Sequence, residues 1–560
     1  MQDALQAVFS KDISVRVLLV KHFAAGDMLL PTAQDGYPPE RAILRTKNGA
    51  TVVKLFVRTT GEQAPDSPSP TAGTDVGMEF WFPDVSTWNH RIYVQILGGM
   101  MGDFRVTSTG HASLSICSEH DTPQLATELG FVVASTDGGH VSDSMEDMSY
   151  LLNADGSYNL EGFKNVSFQA THLLAQAAKS ITRAYYDRNA KASYLFGCST
   201  GGRQAYHSAQ KYPEDFDGIL SSCPSITQSF LFPSLGHPHI IVNNDLDGQG
   251  FTIEQLDIVA QKAMDTTDTA ITGQHDGYFT TWDDNVYDPT QDRSILAVSE
   301  GGDCTESWAF TRKQCQAINK IWYGPTFDGQ VPDPRKDNGT GYIKSSHQLW
   351  WGKLRGTEIE FAQSTRDIVG NHLAVVLKDV SMAPPSWNHP LGKGENAWTK
   401  FTHKEYAQAM LRCREVDDTV FHMDADNPDL RPFRDAGKKM ITYHGLADSG
   451  VAPQSAIRYY HAVNERCCGA DETQDFHRLF LIPGMGHCLR ERGTAGRARV
   501  PLPTLEQMIE MLIAWVEEGK FPEKIIAYSH DNTISRPIMA YPRLPKYDGE
   551  GDPTQASSFI

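Results

Sequence analysis

From about residue 90 onward the chain alternates two kinds of apolar pattern. Short continuous apolar runs bounded by Gly and Asp read as buried strands. They are Arg91–Leu97 (RIYVQIL), Phe131–Ser135 (FVVAS), Ser193–Phe196, Lys439–Tyr443 (KMITY) and Arg478–Ile482 (RLFLI). Between them, i, i+3, i+4, i+7 spacing predicts helices over Ser167–Ala184 and Pro503–Glu518. In the second, Leu505, Met508, Ile509, Leu512, Trp515 and Val516 share one face. Thr504 and Gln507 form a capping box there, and Gly519 is a natural stop. Strands that are apolar throughout and alternate with helices imply an α/β fold: a mostly parallel sheet flanked by helices on both faces.

Residues 225–432 break this rhythm. The stretch is rich in Asp, Gly, Pro and Trp (Trp282, Trp308, Trp322, Trp350, Trp351, Trp387, Trp398) and has few clear strands. It reads as a large inserted lid or substrate domain. Residues 1–224 then form the first part of the core and 433–560 the second. Gly61–Gly73 (GEQAPDSPSPTAG) reads as a surface loop.

With 50 Lys+Arg against 69 Asp+Glu, the net charge of −19 argues against nucleic acid or an anionic membrane as partner. No run approaches the roughly 18 apolar residues of a membrane span. Near the start only the short Val17–Val20 run occurs, without the apolar core of about 7–15 residues that a secretory leader carries. Nine cysteines are an odd number, so at least one cannot pair within the chain.

Gly197-Cys198-Ser199-Thr200-Gly201 fits G-x-S-x-G, a motif that is weak on its own. Its flanks strengthen it: SYLF precedes it and a helix-compatible RQAYHSAQKYPEDF follows. This is the strand, sharp turn and helix that lift a serine above a sheet edge. A serine hydroxyl needs a base, and the base an orienting acid. In α/β-hydrolases these follow in the order Ser, Asp, His, each on a loop just after a strand. Asp448 lies beyond KMITY in YHGLADSG, and His487 lies directly after RLFLI in LIPGMGHC. Rival histidines are His140, His207 and His444. Cys198 precedes the candidate nucleophile and Cys488 follows the candidate base. If Ser199 and His487 touch, their neighbours are close enough for a disulfide; two buried free thiols are the alternative.

FGCSTGGRQAYHSAQKYPEDFDGIL, YHGLADSG and GMGHC together resemble the tannase/feruloyl esterase family of α/β-hydrolases, over about Val15 to Tyr528. The resemblance implies a Cys-Ser…Asp…His-Cys arrangement with Ser199 as nucleophile, Asp448 as acid, His487 as base and Cys198 paired to Cys488. It implies hydrolysis of a small-molecule aromatic or phenolic ester through an acyl-enzyme. The backbone N–H of Thr200 and one from the Gly98-Gly99-Met100 turn, taken as Gly99, would hold the oxyanion. The family's lid carries a structural calcium site of D-x-x-D-G-x-x-D-G type. Here MDTTDTAITGQHDGY places Asp265, Asp268 and Asp276 as carboxylates, with Gln274 and Tyr278 lending carbonyls. About four extra residues follow Asp268, and Met264 stands where the family carries a cysteine. The family is secreted, whereas no leader is visible in this chain, so the compartment stays open. Two other readings are an acyltransferase or hydrolase dedicated to a secondary-metabolite ester, and a non-catalytic binding protein on the hydrolase scaffold.

Overall fold

A computed structural model describes residues 14–29, 44–58, 75–96, 98–102, 122–142, 144–343, 347–361, 363–467, 469–489 and 499–560. The predicted loop Gly61–Gly73, Leu97, Cys117 and Cys468 lie outside the described residues.

Nine strands form one sheet. They are β1 (Ser14–Phe23), β2 (Ala50–Arg58), β3 (Asp75–Pro83), β4 (Arg91–Ile96), β5 (Val132–Thr136), β6 (Ala192–Cys198), β7 (Gly218–Ser222), β8 (Lys439–Gly445) and β9 (His477–Ile482). Their spatial order is β1-β2-β3-β5-β4-β6-β7-β8-β9. Strands β5, β4, β6, β7, β8 and β9 run parallel, and β1, β2 and β3 add an antiparallel flank. The crossing from β5 to β4 and on to β6 opens a crevice at the strands' carboxyl ends, where ligands of such sheets bind.

The alternation of side chains along each strand feeds two cores. Val53, Leu55 and Val57 of β2, with Ile92, Val94 and Ile96 of β4, enter one buried cluster. Ala50, Val52, Trp81, Tyr93, Tyr194 and Phe196 enter the other, on the opposite face. Helix α1 (Ala170–Tyr186) covers the first face and α9 (Leu505–Glu518) the second. The start of α9 is fixed as predicted: Thr504 Oγ1 accepts the Gln507 N–H and the Gln507 side chain accepts the Thr504 N–H.

Strands β1–β3 and β7 escape the pattern reading. Strands β2 and β3 are buried on both faces apart from Arg58, so they show no polar–apolar alternation. Their apolar runs are also broken by Lys54 and Glu79, which pair at 3.0 Å with both side chains wholly buried. The helix predicted from Ser167 differs too. Asn165–Gln169 form a π turn before α1 begins at Ala170. The Val166 carbonyl in that turn accepts from Arg203 Nη2 and Gln204 Nε2, both at 3.0 Å. A wide turn of this kind often marks a functional region.

The chain leaves the sheet after Ser222 and rejoins it at Lys439, with no strand of the sheet between among the described residues. The intervening helices include α3 (Gln228–Ser234), α4 (His237–Asp245), α5 (Ile253–Met264), α6 (Arg312–Tyr323), α7 (Gln363–Leu377) and α8 (His403–Val416). Trp350, Trp351, Trp387 and Trp398 from this stretch join the same buried cluster as the sheet. The insertion therefore shares the core rather than standing apart from it. No helix among the described residues is long and apolar enough to cross a membrane.

Candidate active site

Strand β6 ends at Cys198 and helix α2 (Thr200–Lys211) begins at Thr200, leaving Ser199 alone in the turn at φ 61°, ψ −119°. A non-glycine residue with positive φ costs on the order of 1–3 kcal/mol and persists only where its surroundings dictate it. They do so here. The Ser199 N–H donates to Ser222 O at 3.0 Å, and Ser199 O accepts from the Arg203 and Ser225 N–H groups. A Cβ on Gly197 would fall 2.2 Å from Gly201 O, and one on Gly202 2.8 Å from Ser222 O. Gly197 in the motif and Gly202 just after it are therefore needed for close backbone approach. Arg203, fully buried, ties the helix down through Met423 O (3.2 Å) and Val166 O.

The loops after β8 and β9 meet because Gly445 lies against the second of them. A Cβ at Gly445 would sit 2.1 Å from Met485 O. This brings Asp448 Oδ2 to 2.8 Å from His487 Nδ1, whose N–H donates. The other carboxylate oxygen accepts the N–H groups of Gly450 and Val451, both at 2.8 Å. Burial works against the Asp448 charge, but the charge on His487 and hydrogen bonds from His444 and His487 outweigh it, so its pKa falls well below the carboxylate range. Burial likewise works against a charged His487, and Asp448 outweighs it, so the imidazole pKa rises well above its ordinary value.

Cys198 and Cys488 are joined by a disulfide, with Cα atoms 6.0 Å apart. It links the residue before Ser199 to the residue after His487. Ser199 and His487 themselves make no hydrogen bond in this structure, a looseness common in unliganded sites. The rival histidines lie elsewhere or act differently. His140 is fully buried, stacked on Tyr150, and pushed down to about 3 by burial. His207 donates to Met423 O at 2.9 Å. His444 donates to Val451 O at 3.0 Å and touches Asp448 Oδ2 at 3.3 Å, so it backs the acid.

Ile96 at the end of β4 pairs with Gly197, which places the following Gly98–Met100 turn beside Ser199. In this turn the N–H groups of Met100, Met101 and Gly102 donate to Met145 O, Gly98 O and Asp137 O. Those of Gly99 and Thr200 meet no protein acceptor among the described residues. Thr200 also opens α2, so the positive end of a helix dipole faces the same spot.

Cys223 went unnoticed in the sequence. It follows β7 at φ 40°, fully buried, with its thiol facing His487. No local motif marks it. Only the β6–β7 register, in which Cys198 pairs with Ser222, carries it to the site. A partly open pocket lies beside the acid loop, lined by Leu231, His237, Trp351, Lys353 and Asp448 among others. Neither Ser199 nor His487 lines it, so it sits behind the acid rather than over the serine.

The predicted calcium ligands do not close into one oxygen cage. Asp276 Oδ1 is held by Arg536 Nη2 at 2.8 Å and its other oxygen by the Thr272 hydroxyl at 3.2 Å. Arg536 belongs to β11 (Ser535–Met539), which pairs with β10 (Lys524–Tyr528). The Gln274 carbonyl accepts from Thr272, and the ring of Tyr278 is buried beside Asp276 and Arg536. Asp265 and Asp268 do approach each other, but their third neighbour is His275, whose Nδ1 lies 2.8 Å from Asp268. Calcium takes about 6–8 oxygen ligands. An imidazole in the cluster and a guanidinium on the third carboxylate do not fit it.

A serine raised on a strand–helix elbow after β6, with a histidine–aspartate pair on the loops after β8 and β9, defines a hydrolase of the α/β class. The chain belongs to the tannase and feruloyl esterase family, whose model matches residues 58–560. A probable feruloyl esterase of Arthroderma benhamiae is 28% identical over 491 residues, covering 86% of this chain and 82% of that protein. Feruloyl esterase B of Aspergillus niger is 27% identical over 480 residues, covering 81% of each. Among solved structures, feruloyl esterase B from Aspergillus oryzae superposes with a TM-score of 0.71 at 20% identity, over 100% of this chain and 99% of that one. Tannin acyl hydrolase from Aspergillus niger gives 0.72 at 17% identity, over 98% and 94%. At these identities the structural likenesses establish the fold.

Proposed function

We propose that this carboxylic ester hydrolase acts on esters of phenolic acids, hydroxycinnamoyl or galloyl, through an acyl-enzyme on Ser199. The Asp448–His487 hydrogen bond, fastened beside Ser199 by the Cys198–Cys488 bridge, carries the reading.

His487 takes the proton of Ser199 through Nε2 as the hydroxyl oxygen attacks the ester carbonyl. Asp448 fixes the tautomer through Nδ1 and stabilises the imidazolium that forms. The carbonyl oxygen, now negative, receives the N–H groups of Thr200, at the helix start, and of Gly99, in the turn after β4. His487 returns the proton to the leaving alcohol. It then activates the water that releases the acid. An intact Ser, Asp and His weigh against a binding protein without catalysis.

The test joins covalent labelling to a substrate panel. A fluorophosphonate should modify Ser199, and methyl ferulate, methyl caffeate and methyl gallate should be cleaved to free acid. Ser199→Ala should abolish both. Labelling elsewhere would remove Ser199 as the nucleophile, and no cleavage of any of the three phenolic-acid esters while simple p-nitrophenyl esters are turned over would remove the phenolic assignment.

A further inference from the structure

Hydrolysis as described above gives the Cys223 thiol no role, yet the fold delivers it with care. Its N–H donates to Tyr443 O at 2.9 Å, extending the β7–β8 pairing by one residue. Its φ is positive, at 40°, and its thiol lies near the His487 ring. The sulfur of Cys223, a ring nitrogen of His487 and a carboxylate oxygen of Asp448 all lie within 4.8 Å of one another.

Thiolate, imidazole and carboxylate are the ligands that zinc and similar borderline-soft divalent cations take, whereas calcium and magnesium gain little from sulfur. The histidine is also set up in the way metal-bound histidines are. Its Nδ1–H is held by Asp448, which leaves the lone pair on Nε2 and fixes the ring plane. The His487 side chain is 31% exposed, so a cation has a route to it although Cys223 is buried.

We propose that Cys223 and His487, backed by Asp448, bind a divalent cation of the zinc class and that its binding switches the esterase off. Binding replaces the Cys223 S–H bond with a sulfur–metal bond, and the proton goes to solvent. The Nε2 lone pair becomes a metal ligand, so it cannot accept the proton of Ser199. Waters complete the coordination. Only the loss of activity rests on the ester-hydrolase reading; the binding is separate from it.

The full chain is titrated with Zn²⁺ while p-nitrophenyl ester hydrolysis is followed, and in parallel with Co²⁺ while the absorption spectrum is recorded. Zn²⁺ should inhibit, excess chelator should restore the rate, and Ca²⁺ and Mg²⁺ should do neither. Co²⁺ should develop a thiolate-to-metal charge-transfer band. Cys223→Ser and Cys223→Ala should each lose that band and need at least about tenfold more Zn²⁺ for half-inhibition relative to their own uninhibited rate. The parent's cobalt band stands as a test even if neither variant folds. No band in the parent, or equal zinc sensitivity in the variants, overturns the proposal. A cobalt band in a parent that cleaves no ester would instead overturn the esterase reading and leave the metal site standing.

Discussion

Cys198 and Cys488 lie 290 residues apart in the chain, yet their Cα atoms are 6.0 Å apart and their sulfurs are bonded. The bond joins the end of β6 to the loop after β9, two strands separated in the sheet by β7 and β8. It therefore does locally what the whole sheet does globally, holding the elbow serine and the histidine at the same sheet edge. Cys488 itself sits at φ 57°, so the backbone around His487 is held in a form that a free loop would rarely adopt.

Removing this bridge should lower both stability and rate. A loop of 290 residues constrains the unfolded chain by about 6 kcal/mol in the simple entropic treatment. Cys198→Ala with Cys488→Ala should therefore melt well below the parent in calorimetry and should lower kcat more than it raises KM. A double variant as heat-resistant and active as the parent would show that the sheet alone aligns the site.

The rate should rise with pH along a limb set by His487. Asp448 raises the imidazole pKa above its ordinary value of about 6.5. Below that raised value the ring is protonated and cannot take the serine proton; above it the base is free. The kcat/KM profile for a neutral ester should thus climb through a limb that lies on the alkaline side of 6.5. Asp448→Asn should move this limb to lower pH, because burial then acts without the opposing charge. It should also cut kcat on the order of 10⁴-fold by freeing the wrong tautomer. An unmoved limb in the variant would mean that another group controls the profile.

The elbow, the acid and the base were legible because each follows an apolar strand within a few residues, and the glycines at 197 and 445 sit where the backbone is closely approached. Besides Cys223, three kinds of feature were not legible. Strands β2 and β3 carry Lys54 and Glu79 inside their apolar runs, so each charge hides a strand until its partner across the sheet is known. The π turn at Asn165–Gln169 depends on Arg203 and Gln204, which lie beyond the elbow. Asp276 reads as a metal ligand until Arg536, 260 residues later, is found against it. In every case the missing information is a long-range partner rather than a local pattern.

Arg536 supplies the positive charge beside Asp276 that a cation would otherwise bring, and this makes chelation a sharp test. Burial raises the Asp276 pKa and Arg536 opposes it, while both side chains are 12% exposed. EDTA should leave the melting temperature and the hydrolysis rate unchanged, and added Ca²⁺ should do the same. Arg536→Gln should destabilise by about 3 kcal/mol, since it leaves a largely buried carboxylate uncompensated. A melting temperature that falls with EDTA and recovers specifically with Ca²⁺ would restore the cation to this loop.

The Lys54–Glu79 pair supplies the last test, one that concerns the sheet alone. The two residues face each other in the β2–β3 register, 3.0 Å apart and wholly buried, and Glu79 also accepts the Trp81 indole N–H at 2.7 Å. Lys54→Met removes the ammonium and leaves the carboxylate in a low-dielectric interior, which should cost about 3–5 kcal/mol in urea unfolding. Adding Glu79→Gln removes the stranded charge while keeping an oxygen for Trp81, so the double variant should recover most of that loss. The pair lies on the antiparallel flank, away from the elbow, so kcat of the folded variants should match the parent. If the two substitutions simply add, the charges do not stabilise each other, and the pairing is not what lets this flank tolerate them.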